Sequence, residues 1–223
     1  EYDSLTVEWT ATDNIGVDSV YVFYSNDGGT TFSYQGIQPG DSTSYSFVIP
    51  MGVTDEAQIK LVAIDNFENE GEGVSDLFSV TDNTPPEVTI STPGIAETGV
   101  VTSVNWEASD NTGFRSHHLY LSVDSVQTFV LIDSTSGESS SFSWNVPDSI
   151  VSNVCLLKII SYDLVNLTAV DTSGVFSIID VIPPQVSALE PTGGSTIPEY
   201  DSLTVEWTAT DNIGVDSVYV FYS

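Results

Sequence analysis

Basic residues are nearly missing from this 223-residue chain: Lys60, Arg115 and Lys158 stand against thirty-two acids, for a formal net charge of −29. A polyanion of that strength repels phosphate backbones and anionic headgroups, so neither nucleic acid nor direct membrane insertion is expected. No apolar run approaches the roughly 18 residues that cross a bilayer as a helix. Because the chain starts at Glu1, any secretion signal is expected to lie outside it. The single cysteine, Cys155, excludes an intrachain disulfide framework. It sits in VCLLKIISYD, where alternation puts Cys155, Leu157, Ile159 and Ser161 on one face and Leu156, Lys158 and Ile160 on the other. The thiol therefore reads as a small core residue; a reactive thiol would need an electropositive neighbour, and bases are scarce in this chain. Catalytic signatures are missing too. Neither HExxH nor GxSxG occurs, and the adjacent His117 and His118 point to opposite faces of a strand. The acids are too numerous for one pair to stand out as general acid and base, so the chain reads as a non-enzyme. Strong acidity often accompanies disorder, but 40% apolar residues, rich in Val, Ile, Tyr, Phe and Trp, predict a folded chain.

What is present is repetition. EYDSLTVEWTATDNIGVDSVYVFYS runs from Glu1 to Ser25 and again, letter for letter, from Glu199 to Ser223. A weaker repeat lies inside that period at about half its length, the kind of self-similarity that marks arrays. NIGVDSVYVFYSNDGGTTF from Asn14 aligns without gaps on NTGFRSHHLYLSVDSVQTF from Asn111. VEWTATDN from Val7 matches VNWEASDN from Val104, YSFVIP from Tyr45 matches FSWNVP from Phe142, and NTPPEV from Asn83 matches VIPPQV from Val181. The unit is one domain of about 100 residues. The expected division is 1–82, a domain without its first strand; 83–180, a complete domain; and 181–223, the N-terminal part of a third. The simplest source of such a pattern is a two-domain period within a longer array.

No stretch has the period of a long amphipathic helix. Short alternating runs punctuated by Gly, Asn, Asp and Pro predict strands, in the complete unit at 86–91, 99–108, 115–123, 127–132, 139–146, 154–162 and 173–179. Seven such strands suit an all-β fold, tandem immunoglobulin-like sandwiches with Greek-key connections. Trp106, with Val104 and Ala108, is placed on the inward face of the second strand, and Trp144 and Phe47 on that of the fifth. Tyr21, Phe23, His118 and Tyr120 are placed outward, between core-facing Val20, Val22 and Leu119.

The DNTPPEV linker from Asp82, WTATDNIGVDSVYVFYS from Trp9 and the AIDNFENEG turn from Ala63 resemble the bacterial immunoglobulin-like and fibronectin type III-like repeats of large surface and secreted proteins. The resemblance spans the chain. It implies an extracellular or cell-surface setting and a non-catalytic unit of a filament, sheath or adhesin stalk that continues as the same array or self-associates. The alternative is a polysaccharide-binding or spacer module of a secreted hydrolase, with the outward aromatics as a stacking platform. SNDGGTTF, from Ser25, is similar to the Asp-box of sialidase-type propellers, but reads here as a local hairpin device: Asp27 with Gly28 and Gly29 suits a tight turn. NLT, from Asn166, is a glycosylation sequon or a polar turn.

In a sandwich of this kind the chain enters at the end that carries the second-to-third and sixth-to-seventh strand loops, and the acids gather there. For the complete unit the linker offers Asp82 and Asn83, the first loop Asp110 and Asn111, and the second Asp163 and Asn166. For the other unit the corresponding residues are Asp180; Asp13 and Asn14, repeated as Asp211 and Asn212; and Asp65, Asn66, Glu68 and Glu70. Carboxylate and amide oxygens from three segments are what a calcium ion of roughly six to eight oxygen ligands needs, so calcium is the expected cofactor. Solvated acidic turns are the alternative, since Asp and Asn form turns anyway.

Overall fold

The computed structural model describes residues 4–50, 52–125 and 128–222. The described residues contain no helix long and apolar enough to cross a membrane. They divide into two compact units, residues 1–85 with 110–113 and residues 86–109 with 114–223.

In unit 1, β1 (Ser4–Glu8) pairs antiparallel with β4 (Ser44–Val48). Facing them is the sheet β3-β2-β5-β6, built from β2 (Val17–Ser25), β3 (Ser33–Pro39), β5 (Thr54–Asp65) and β6 (Glu70–Val74), with β7 (Phe78–Val80) also paired to β5. Strand period two decides the packing. In β2 the side chains of Val20, Val22 and Tyr24 are buried, whereas Tyr21 and Phe23 between them remain half-exposed on the outer face. Val22, Tyr24, Phe47, Ala57 and Ile59 form the core; Leu5, Val7, Trp9 and Leu61 pack against it only partly buried.

Unit 2 repeats the plan with more strands. One sheet is β13-β10-β8, made of β8 (Glu87–Ile90), β10 (Val101–Ser109) and β13 (Ser141–Asn145). The other runs β12-β11-β14-β16-β9. Its strands are β9 (Ile95–Glu97), β11 (Phe114–Ser122), β12 (Val130–Ser136), β14 (Ser152–Asp163) and β16 (Phe176–Ile179), and β15 (Thr168–Thr172) pairs with β14. The described residues of 83–180 thus hold nine strands rather than the expected seven. The two extra strands, β9 and β15, fall outside the expected ranges: β8 and β9 join opposite sheets, and β15 and β16 both pair along β14. Gln127, at the start of the expected fourth strand, lies outside the described residues. The core gathers Ile90, Val104, Trp106, Leu119, Trp144, Leu157, Ile159, Phe176 and Ile178 around a fully buried Cys155, whose thiol burial pushes up in pKa. Ala108 is exposed, past the end of the buried stripe of β10.

Beyond β16, β17 (Gln185–Glu190) pairs antiparallel with β18 (Glu206–Thr210). Residues 215–222 form no strand, and Tyr219, Val220, Phe221 and Tyr222 are exposed.

One buried polar pair is confined to unit 2. His117, 1% exposed, lies between Trp106 and Phe114, with its Nδ1 2.8 Å from Ser161 Oγ and its Nε2 3.2 Å from the Gly137 carbonyl. A carbonyl only accepts, so Nε2 carries the proton and Nδ1 accepts from Ser161. Burial lowers the His117 pKa, partly opposed by that carbonyl. Gly137 is needed for the approach, because a Cβ there would stand 2.0 Å from the Phe114 carbonyl oxygen. Val20 and Ala63 hold the equivalent places in unit 1.

Candidate metal centre

Each of the three copies of the first loop opens on an aspartate that organises its own turn. Asp13 Oδ2 accepts from the backbone N–H of Ile15 (2.6 Å) and Gly16 (3.1 Å). Asp110 Oδ2 accepts from those of Thr112 (2.7 Å) and Gly113 (2.8 Å), and Asp211 Oδ1 from those of Ile213 (3.0 Å) and Gly214 (3.1 Å). This is the aspartate turn that the residue type favours. It occupies one carboxylate oxygen and leaves the other for a different partner.

The fate of that second oxygen separates the copies. Asp13 and Asn14 are exposed to solvent. Asp110 Oδ1 and Asp211 Oδ2 are instead buried with no hydrogen-bond partner, and so is Asn212 Oδ1. In unit 1, Asp82 lies beside the Asp110 loop: its Oδ1 accepts from Thr84 N (2.9 Å) and Asn111 Nδ2 (3.1 Å), and its Oδ2 from Thr112 Oγ1 (2.8 Å). The Asp82 and Asp110 carboxylates bring oxygens within 4.8 Å of one another. In unit 2, Asp180 Oδ1 takes the same role, accepting from Asn212 Nδ2 (3.0 Å), Thr98 Oγ1 (2.9 Å) and Ile182 N (3.1 Å). Asn212 Nδ2 also donates to the Asp148 carbonyl at 2.7 Å.

Both linker carboxylates are held below the usual carboxylate range. For Asp180 the Asn212 amide is the main cause, with Ile182 N–H adding to it against partial desolvation. For Asp82 desolvation pushes upward, and the donors on Thr84, Asn111 and Thr112 together outweigh it. Both groups are therefore anionic at neutral pH. Asn83, adjacent to Asp82, is exposed.

The second loops diverge in one side chain. Asp65 Oδ1 accepts from Phe67 N (2.7 Å) and Asn69 N (2.9 Å), while Asn69 Nδ2 donates to its Oδ2 at 2.7 Å, and that amide leads the lowering of its pKa. Asp163 Oδ1 makes the corresponding bonds to Val165 N (2.9 Å) and Leu167 N (2.8 Å). Leucine stands at 167 where Asn69 stands in unit 1, so no amide reaches Asp163 Oδ2. That oxygen is buried without a hydrogen-bond partner on a residue of 0% exposure. Asn166 turns through a positive φ of 73°, and its Oδ1 accepts from Arg115, which also donates to the Leu164 carbonyl at 2.9 Å.

Of the residues that sequence spacing singles out, the structure places Asp82 beside the Asp110 loop in unit 1 and Asp180 beside the Asp211–Asn212 loop in unit 2. It leaves Asp13, Asn14 and Asn83 exposed and gives Asp65 a complete set of local donors. Thr98 and Thr112 were not legible as members. Thr112 aligns with Ile15 and Ile213, and Thr98 lies 82 residues before Asp180, so neither repetition nor proximity marks them.

The Asp-box segment is a turn and nothing more. Asp27 Oδ1 accepts from Ser25 Oγ (2.7 Å) and Thr31 N (2.9 Å), and its Oδ2 from Thr31 Oγ1 (2.7 Å); Thr31 leads the lowering of its pKa to about 2. Asp124 repeats the bonds with Ser122 and Thr128, and Ser125, at φ 59°, takes the left-handed position that Gly28 holds at 68°. On the outer faces, Lys60 Nζ stands over the rings of Phe23 (5.3 Å) and Phe32 (4.9 Å), and Lys158 Nζ over Tyr120 (4.8 Å) and Phe129 (4.3 Å).

The family described as "Bacterial Ig domain" matches residues 184–223. No curated protein sequence matches the chain. Among solved structures, the chain is similar to fibronectin(III)-like modules of Clostridium thermocellum CbhA, at 16% identity over 79% of this chain and 86% of that one, with a TM-score of 0.37. It is also similar to a tetra-tandem repeat in the extending region of a large adhesion protein, at 16% identity over 87% of this chain and 53% of that one, with a TM-score of 0.44. The family match and the paired-sheet topology bear out the immunoglobulin-like resemblance and an all-β fold.

Proposed function

We propose that the chain is a non-catalytic structural segment of an extracellular filament, sheath or adhesin stalk, built by repeating one sandwich. The observation that carries this reading is the internal repetition, in which the same strands, turns and linker aspartates recur. Repetition supplies length: a strand of about eight residues spans roughly 27 Å, and each added sandwich extends the array. Short Pro-Pro linkers and uniform negative charge disfavour folding back. The test is contour length against copy number. Arrays of increasing copy number, imaged singly or measured by small-angle scattering, should lengthen in proportion; a radius of gyration that grows only as a compact globule does would refute the shaft.

Calcium belongs to the same reading. Bare, buried oxygens on Asp110, Asp163, Asp211 and Asn212 suit a hard cation that takes oxygen ligands; the Asp110 loop carries anionic Asp82 beside it, and Asn212 is bonded to anionic Asp180. When bound, the ion would neutralise clustered carboxylates; the local hydrogen bonds already orient them. Isothermal titration of the chelator-treated chain with Ca²⁺ should show binding that weakens in Asp110→Ala and Asp211→Ala. Absence of any heat or thermal shift would return these acids to the status of solvated turns.

The rival reading, polysaccharide binding by a hydrolase accessory module, draws on the outward aromatics. Tyr21, Phe23 and Tyr34 cluster on one face, with Tyr34 57% exposed. The lysines lying over Phe23 and Tyr120 already occupy ring faces that a sugar would stack on, which favours the structural role. Retention on insoluble polysaccharide, lost in Tyr34→Ala, would reverse that preference.

A further inference from the structure

Unit 2 contains one complete passage from a sandwich into the repeat that follows. The chain leaves β16 at Ile179, crosses residues 180–184 and enters β17 at Gln185. That linker is pinned to the sandwich it leaves. Thr98, 1% exposed just after β9, donates its hydroxyl to Asp180 Oδ1 at 2.9 Å and accepts from Val181 N at 3.3 Å. A glycine at 99 is needed for the fit: its φ is 70°, and a Cβ would stand 2.8 Å from Asp148 Oδ1 and 3.5 Å from Ile182 Cδ1. Pro183 and Pro184 fix two further φ angles. A proline ring fixes φ but not ψ, so the covalent linker alone still lets the next repeat swing.

The next repeat reaches back across that linker. Asn212, in the loop after β18, donates from Nδ2 to the Asp148 carbonyl at 2.7 Å and to Asp180 Oδ1 at 3.0 Å. A side-chain amide has two N–H donors, and both are used on the sandwich behind. The Asp211 turn presents this side chain, through its bonds to Ile213 N and Gly214 N. Within unit 1 the same pair recurs: Asn111 Nδ2 donates to Asp82 Oδ1 at 3.1 Å. There the second bond comes from Thr112 Oγ1 to Asp82 Oδ2 at 2.8 Å. Isoleucine stands at 213 in place of that threonine and has no side-chain donor, and the Asp148 carbonyl supplies the second contact instead.

We infer that Asn212 is a latch between repeats: it ties the segment carrying β17 and β18 to the sandwich before it and holds one direction at that joint with no metal bound. Its bond to Asp180 closes a ring that runs from Asp180 through β17 and β18 and back. A closed ring cannot swing about a single linker bond. The hydrogen bond to a carboxylate is charge-assisted, which is the stronger kind. An aspartate at 212, of the same size, would have no hydrogen to give and would set a second negative charge against the Asp180 carboxylate. The latch uses Nδ2 and the calcium reading uses Oδ1, so the two stand apart. A joint of fixed direction serves the shaft and rests on that reading for its use, but contour length and joint direction are measured separately.

Residual dipolar couplings of the whole chain, recorded in chelator, test the latch. Amides of β18 and of residues 211–214 should share one alignment tensor with β10, β11 and β14. The Asn212 side-chain amide hydrogens should exchange more slowly than those of exposed Asn14. Asn212→Ala should abolish the shared tensor while β10, β11 and β14 keep their own couplings, and Asn212→Asp, with its added repulsion, should do the same. A wild-type chain in which β18 needs a tensor of its own, or in which the Asn212 and Asn14 amides exchange alike, overturns the inference whatever the variants do. Asn212→Ala or Asn212→Asp with the shared tensor intact overturns it as well. Arrays that fail to lengthen while the tensor stays shared would support the latch and refute the shaft alone.

Discussion

Replacing His117 by valine tests the polar pair in the core of unit 2, because the protein contains its own apolar control. Unit 1 has Val20 and Ala63 where unit 2 has His117 and Ser161. His117→Val alone removes the acceptor for Ser161 Oγ and the donor to the part-buried Gly137 carbonyl; the buried hydroxyl left unsatisfied costs about 1–3 kcal/mol, and the carbonyl, partly open to water, less. His117→Val with Ser161→Ala removes the hydroxyl together with its partner and recreates the unit 1 pair, so most of that loss should return. The pH dependence has a definite sign. Burial lowers the His117 pKa below its unfolded value of about 6.5, so the unfolded chain binds the proton more readily. The stabilisation by neutral His117 is full above about pH 6.5 and is lost as pH falls through the folded pKa. The slope cannot exceed about 1.4 kcal/mol per pH unit for one proton. For a sandwich of this size that is at most roughly 6–11 °C in Tm between pH 6.5 and 5.5. Hydrogen–deuterium exchange of β11 and β14, read against β2 and β5 in the same sample, isolates the effect. If the double variant is no more stable than His117→Val, or keeps the wild-type slope between pH 7.5 and 5.5, the assigned hydrogen bonds are wrong.

Other perturbations follow from the same contacts. Trp106→Ala, in a side chain 3% exposed, should cost about 3–5 kcal/mol in chemical denaturation, and Trp9→Ala, in a partly covered one, clearly less. Leu167→Asn supplies the amide that Asn69 gives Asp65; in chelator it should stabilise unit 2 by about 1 kcal/mol, since satisfying a buried oxygen exceeds the loss of a half-buried leucine. The same variant should also bind Ca²⁺ more weakly, and stronger binding would contradict the role given to Asp163 Oδ2. Asp27 contributes stability that is present above about pH 4 and lost as pH falls through about 2, so Asp27→Asn should flatten the acid limb of unit 1 unfolding followed by exchange in β2 and β3.

Much of the molecule was legible without coordinates. Period-two alternation placed Val20, Val22, Leu119, Leu157 and Ile159 inside and Tyr21, Phe23, His118 and Tyr120 on the outer faces, because strand geometry ties face to parity. Repeat alignment located the aspartates that open the loops, since each forms its turn from bonds two and three residues away. Strand splitting was not legible: β8 and β9 join different sheets, a choice made by residues distant in sequence. Nor were Thr98 and Thr112, or which carboxylate oxygens end up bare, because those depend on what the fold lays over each loop.

The repeated segment shows where sequence stops deciding. It determines alternation and the aspartate turns at Asp13 and Asp211 in both copies. Residues 17–25 form a central strand held between β3 and β5, with Val20, Val22 and Tyr24 no more than 3% exposed. The same letters at 215–222 form no strand, and Val220 and Tyr222 are 57% and 94% exposed. Two identical sequences cannot differ by propensity. What separates them is the presence of neighbouring strands to accept their hydrogen bonds and of an opposite sheet to take their side chains out of water, and only the tertiary structure supplies those.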